Sequence, residues 1–241
     1  MAKDDIDDLK ERVAAACRVM GRLDLTREPA GHVSARVPGS DNILIKARGE
    51  SEAGVRYVTA DDIITVDAEG KALDAGAGFV APREVFIHTW MYRSRPDVNS
   101  VIHMHPSTVV AFTIVDRPLL PVYGAYDPAS LNLWIKGIPN YDRSVLISND
   151  KLGEELAGAI GDSDVIMMRG HGITSCGDTV EAAGMNAILI NELAEMNYKA
   201  ALIGTPRAIP DEDLAEFKER LGGRRAGAGA AWDTYRKMVD A

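Results

Sequence analysis

The chain has only two cysteines in 241 residues, Cys17 and Cys176. One disulfide is the most they could form, which excludes a small secreted scaffold stapled by several bridges. The N-terminus, Met-Ala-Lys-Asp-Asp-Ile-Asp-Asp, lacks the apolar stretch of a signal peptide. No apolar run approaches the roughly 20 residues that cross a bilayer. The net charge is -9 and there is no basic stripe, so neither nucleic acid nor an anionic membrane is expected as a partner. No Gly-x-Gly-x-x-Gly or Walker-type loop occurs, which leaves nucleotide binding without support. What is present is an ordinary soluble composition, 46% hydrophobic and 26% charged, with enough apolar side chain for a sizeable core. A reducing cytoplasm is the expected compartment.

Histidine is scarce too, and its placement is the strongest signal. Two of the five histidines stand in His103-Met104-His105, at the end of the apolar run Val101-Ile102 and directly before Pro106. Side chains alternate faces along a strand, so His103 and His105 point the same way. A lone His-x-His occurs in many proteins without a metal, and ligand count and context decide. A third imidazole, His171, follows the apolar run 165–168 within Arg169-Gly170-His171-Gly172. Flanking glycines let backbone approach a site closely. Three imidazoles at strand ends predict a divalent ion with an open position, and zinc, manganese and iron all accept neutral imidazole.

Periodicity outlines the rest. Ile6, Leu9, Val13, Ala16, Met20 and Leu23 form one face of a helix. Strands are expected at 32–37 and 43–46, around a turn at 39–42, and again at 63–67, 99–104, 119–122, 144–147 and 165–168. Further helices are expected at 82–93 with Pro82 in the first turn, at 107–115, at 152–160, and at 179–203 capped by Asp178. His88 reads as a packing residue on the second helix. Residues 222–229 read as a flexible segment between two short C-terminal helices. With no repeat and no linker, residues 1–241 read as one domain with a flexible C-terminal extension from about residue 205.

Several separate motifs then occur in a fixed order. They are Pro82-Arg83-Glu84, His88, the stretch from Arg95-Pro96-Asp97 to His103-Met104-His105-Pro106, and Arg169-Gly170-His171-Gly172-Ile173. In these the chain resembles the class II aldolase/adducin superfamily. The resemblance implies an α/β fold, a three-layer α/β/α domain around a central mixed, mostly antiparallel sheet. It also implies homotetramers with active sites between subunits. By motif, His103, His105 and His171 match the metal-binding histidines. Glu84 matches an acidic ligand that can turn to acid/base work. Read without the motif, Glu84 is only a carboxylate favourable near a helix N-terminus.

The chain departs from the sugar-phosphate members of that superfamily. Their Gly-Asn-x-Ser is Gly31-His32-Val33-Ser34 here, and the serine or threonine pair before the acid is replaced by Ala81-Pro82-Arg83. Proline has no N–H for a phosphate, and two hydroxyl donors are gone. Lys46-Ala47-Arg48-Gly49-Glu50 replaces a Pro-Ser-Gly loop. An arginine fork matches a carboxylate instead. The pattern is similar to a subgroup that decarboxylates ortho-hydroxylated aromatic or pyridine dicarboxylates. The implied function is a lyase that uses zinc or manganese to stabilise a carbanion. Glu84, His32 and Tyr126 are its candidate catalytic residues, and Arg48, Arg83 and Ser34 its candidate contacts to a small carboxylic acid. Tyr126 lies near a tyrosine proton donor that the aldolases take from a neighbouring subunit, with Tyr123 as its competitor. The alternatives are an aldolase acting on an unphosphorylated hydroxy-keto acid and a non-catalytic interaction protein of adducin type.

Overall fold

The strands of this chain carry apolar residues at both alternating positions, so both faces of any sheet they form must be covered. The computed structural model describes residues 3–50, 52–74, 76, 78–115, 117–221 and 229–239. The elements are, in order, α1 (Lys3–Arg22), β1 (His32–Arg36), β2 (Ile43–Lys46), β3 (Arg48–Gly49), β4 (Ile63–Val66), β5 (Phe79–Val80), α2 (Val85–Ser94), β6 (Ser100–Met104) and α3 (Ser107–Thr113). They continue with α4 (Pro128–Lys136), β7 (Asn140–Tyr141), α5 (Asp150–Ile160), β8 (Val165–Met168), β9 (Gly172–Gly177), α6 (Val180–Ile203), α7 (Asp211–Leu221) and α8 (Gly229–Lys237).

Seven strands pair in the order β4-β2-β1-β6-β9-β8-β7, and β3 and β5 pair separately. Every neighbouring pair in the large sheet is antiparallel except β7 with β8. Alternation sorts the side chains into two layers of core. Val33, Leu44, Ile102, Met104 and Ile173 pack with Val13 and Met20 of α1 and Ile190 and Leu193 of α6. Ile43, Ile45, Val101, Ile166 and Met168 pack on the other face with Ile87 and Met91 of α2 and Leu156 and Ile160 of α5. The result is the three-layer α/β/α arrangement. Cys17 and Cys176 lie in different layers, both buried and free. Burial pushes the Cys17 thiol up to about 12, so it is an inert core residue.

Two expected strands are absent, for one shared reason. Residues 119–122 join no strand: Val122 N–H turns back to Leu120 C=O at 2.9 Å, Ile209 N–H donates to Pro121 C=O at 2.9 Å, and a side chain holds Leu120. The Asn197 amide accepts from Leu120 N–H and donates to Leu120 C=O, both at 3.0 Å. Residues 144–147 form no ladder either, and Ile147 N–H goes to the Glu84 carboxylate at 2.8 Å. The edge strand beside β8 is β7 instead. Helix α2 starts at Val85, three residues after Pro82, and leaves Glu84 as its non-helical flanking residue. Thr179, not Asp178, caps α6, its hydroxyl accepting from Ala182 N–H at 3.1 Å. Helix α4 had no counterpart in the periodicity reading. Its cap is Asp127, which accepts from Ala129 and Ser130 N–H, with Pro128 in the first turn.

Residues 222–228 of the segment read as flexible lie outside the described residues. The extension beyond residue 205 is tied back to the domain at its far end. Trp232 of α8 is only 3% exposed, and its ring fills the space above Gly184 of α6.

Candidate metal centre and cavity

On β6, Val101 and His103 face the α2/α5 layer, and on β1 so do His32 and Ser34, opposite His103 and Val101. The central strands thus deliver imidazoles beneath the start of α2. His105 follows β6 on the same face, and its Nε2 lies 3.0 Å from His103 Nε2. His171 enters from the tight turn between β8 and β9. Gly172 makes room there, because a Cβ at that position would lie 2.2 Å from the Met104 carbonyl oxygen and 2.7 Å from the His105 ring. Glu84 Oε2 is 3.4 Å from His171 Nε2 and 3.7 Å from His103 Nε2. One ligand atom from each of Glu84, His103, His105 and His171 lies within 4.8 Å of all the others.

The donor set fits a divalent cation. The Nδ1 atoms of His105 and His103 lie 3.2 Å from the Thr26 hydroxyl and 3.4 Å from the Thr174 hydroxyl. Each hydroxyl can hold a proton on Nδ1, which turns the two Nε2 lone pairs toward each other. Lone pairs facing at that range repel unless a cation lies between them. Nitrogen ligands at about 2.0–2.1 Å in tetrahedral array stand near such separations. The hydroxyls play the orienting role that outer partners commonly play for ligating histidines.

Electrostatics agree with neutral imidazoles at His32, His88, His103 and His105 and with an ionised Glu84. Burial, reinforced by neighbouring histidines, holds His103 and His32 well below the ordinary histidine range. It pushes His105 down to about 4 and His88 to about 3. Burial alone would raise Glu84, but its hydrogen bond and attraction to His171, and the Ile147 N–H, outweigh that and lower it. The metal-free protein therefore responds to acid in a defined way. Below about 6.5 the unfolded chain protonates these histidines and the folded chain does not, so stability falls as pH drops. The fall continues until the folded values are passed, near 4 for His105 and near 3 for His88. Each imidazole contributes at most about 1.4 kcal/mol per pH unit within that window. Melting of chelator-treated protein should be flat above pH 7 and drop by several degrees at pH 5. A melting temperature unchanged between pH 7 and 5 would contradict neutral burial.

A cavity of about 250 Å³ adjoins the cluster, walled by His32, Lys46, Arg48, Arg83, Glu84 and His105. Arg48 has a buried Nε with no hydrogen-bond partner, an unmet donor beside this space. Arg83 is exposed at the same wall. Lys46 is 2% exposed and pairs with Glu52 at 2.6 Å. Ser34 does not reach the cavity. It is fully buried, two residues deeper along β1, and its hydroxyl meets His88 Nδ1 at 2.6 Å and Tyr92 at 2.7 Å. His88 is more than packing, since its Nε2 meets His32 Nδ1 at 2.7 Å. Tyr126 is 80% exposed, stacked on Tyr123, and lines neither opening around the cluster. The roles of Lys46, Thr26, Thr174 and Tyr92 were not anticipated. Only Lys46 carried a signal, a lysine at the buried end of an apolar strand.

The family model for the class II aldolase and adducin N-terminal domain matches residues 11–198. The chain is 38% identical over 218 residues to a 3,4-dihydroxyphthalate decarboxylase of Arthrobacter keyseri, covering 89% of this chain and 87% of that one. It is 36% identical over 236 residues to another from Rhodococcus jostii, covering 96% of each. Among solved structures, an aldolase II superfamily protein from Pseudomonas syringae superposes with a TM-score of 0.85 at 22% identity, over 97% of this chain and 92% of that one.

Proposed function

The chain belongs to the class II aldolase and adducin family, and from that premise we propose that it is a metal-dependent decarboxylase of an ortho-hydroxylated aromatic dicarboxylic acid, of the 3,4-dihydroxyphthalate type. The observation that carries this reading is the union of a complete ligand cluster with a cavity whose wall offers N–H donors in place of a phosphate cradle. His103, His105, His171 and Glu84 would hold a zinc or manganese ion, which when bound supplies positive charge beside the substrate oxygens and lowers the cost of the negative charge left by departing carbon dioxide. The intact cluster argues against a non-catalytic role of adducin type.

The protein groups divide the remaining work. The Arg48 guanidinium, at the cavity wall, binds the carboxylate that is retained, and Arg83 adds charge beside it. Glu84, ionised, would give up its place among the ligands when the diacid enters and then accept the ring-hydroxyl proton at Oε2, while Ile147 N–H steadies Oε1. The carbon–carbon bond then breaks, its electron pair stays on the ring carbon, and carbon dioxide leaves. Glu84 returns its proton to that carbon, and the ring oxygen later recovers one from water. The reading extends to a cytoplasmic homotetramer in which Tyr126 of a neighbouring copy closes the cavity. The exposure of Tyr126, away from its own chain's site, supports this.

Zinc- or manganese-loaded protein should release one equivalent of carbon dioxide from 3,4-dihydroxyphthalate and leave a monocarboxylate. Aldehyde release from a hydroxy-keto acid, with no carbon dioxide from the diacid, would move the assignment to an aldolase. Neither product, together with negligible bound metal, would favour an interaction protein.

A further inference from the structure

Behind the cavity runs a chain of four buried polar groups that the mechanism above does not use. It passes from Tyr92 OH to Ser34 Oγ, to His88 Nδ1 and Nε2, and to His32 Nδ1, in steps of 2.7, 2.6 and 2.7 Å. Its far end, Tyr92, is 4% exposed, and its near end, His32, forms part of the cavity wall. We propose that Tyr92, Ser34 and His88 are positioning residues that fix the tautomer of His32, so that His32 presents an N–H to the cavity and binds an anionic oxygen of the substrate. The assignment of a substrate oxygen rests on the decarboxylase reading. The tautomer does not.

The geometry sets the direction of the chain. Ser34 Oγ has three possible acceptors for its single proton, His88 Nδ1 at 2.6 Å, Tyr92 OH at 2.7 Å and Val101 C=O at 3.3 Å. The buried Tyr92 hydroxyl needs an acceptor of its own and has Ser34 Oγ within reach, so Tyr92 donates and two remain. Hydroxyl bonds cluster between 2.5 and 3.0 Å, roughly, so the proton goes to His88. His88 accepts at Nδ1 and so carries its own proton on Nε2, which it donates to His32 Nδ1. A neutral imidazole has one N–H and one lone pair, and here the lone pair is taken. The remaining proton of His32 sits on Nε2, the nitrogen left for the cavity.

The consequence divides labour among the histidines. His103, His105 and His171 offer lone pairs, whereas His32 offers a donor and is excluded as a ligand through Nε2. His32 is also excluded as the acid, because a neutral imidazole that gave up its N–H would become an imidazolate. Proton traffic is left to Glu84. His32 stacks on His103 with ring centroids 5.1 Å apart, which places its N–H beside the ligand cluster.

With only five histidines, the tautomers can be read directly in the full-length, zinc-loaded protein labelled with ¹⁵N-histidine. The expected spectrum shows His32 and His88 protonated on Nε2 alone. Unreactive phthalate should shift the His32 N–H and leave His88 unmoved. Ser34→Ala, which removes the donor to His88, should give mixed tautomers at both rings and raise KM for the diacid about tenfold. Metal content and kcat should stay near their original values. Should Ser34→Ala fail to fold, the unsubstituted protein still decides. His32 protonated on Nδ1, or on both nitrogens, overturns the proposal. The predicted tautomer in a protein that releases no carbon dioxide would instead sink the decarboxylase reading and leave the tautomer assignment standing.

Discussion

His103→Ala should abolish metal binding and reduce carbon dioxide release by at least about 10³-fold. Changes in the partners that merely orient a ligand already cost about 10–100-fold, and here a ligand itself is lost. His103 is fully buried in a central strand, with His105 3.0 Å away on one side and Glu84 3.7 Å away on another, so no neighbour can take its place. The fold should survive, because the β1–β6–β9 register is also held by Val101, Ile102 and Met104 packing into both layers. Far-ultraviolet circular dichroism checks the fold, and elemental mass spectrometry of dialysed protein checks the metal. Stoichiometric metal in the variant would end the assignment. His105→Ala should behave alike, with Thr26 losing its ring partner.

Glu84→Gln should keep the fold and lower kcat by about 10²–10⁴-fold, the range expected when a positioned acid/base group is removed. The glutamine carbonyl can still accept from Ile147 N–H, so the 144–147 segment stays in place. The amide nitrogen faces His103 and His171, both able to accept when no ion is bound. What the variant cannot do is carry a proton from the ring oxygen to the ring carbon. Metal affinity should weaken through the lost charge, so kcat must be compared at saturating metal. A kcat within about threefold of the original would remove Glu84 from proton transfer and leave it a ligand only.

The three clustered histidines were legible from a strand-end His-x-His and a glycine-flanked histidine, whereas Glu84, by itself a helix-start carboxylate, joined them only through the family resemblance. The fold brings one ligand atom of each of the four within 4.8 Å of the others. Alternation and helical periodicity also placed most of the sheet and the long helices. The errors share a physical origin. Residues 119–122 and 144–147 look like strands by composition, yet Leu120 is held by the Asn197 amide and Ile147 N–H by the Glu84 carboxylate, side chains distant in sequence. The second misreading concealed function, since that irregular segment holds the carboxylate still. Ser34 is a candidate substrate contact only through the resemblance of Gly31-His32-Val33-Ser34 to the family's Gly-Asn-x-Ser. Depth along the strand, which periodicity does not encode, carries it beneath α2. Thr26 and Thr174 gave no sign at all, as hydroxyls matter here only through the rings they meet. The start of α4 does carry a local signal, Asp127-Pro128 being an ordinary helix opening.

The four ligands come from three distant stretches of chain, joined only when β6 has paired with β9 and the start of α2 rests on Ile147. A nascent polypeptide that has delivered His105 still lacks His171, and no early fragment owns a complete set. Were the proposed ion bound, a half-made chain could offer it no more than part of the set, and the full set exists only once β9 lies beside β6.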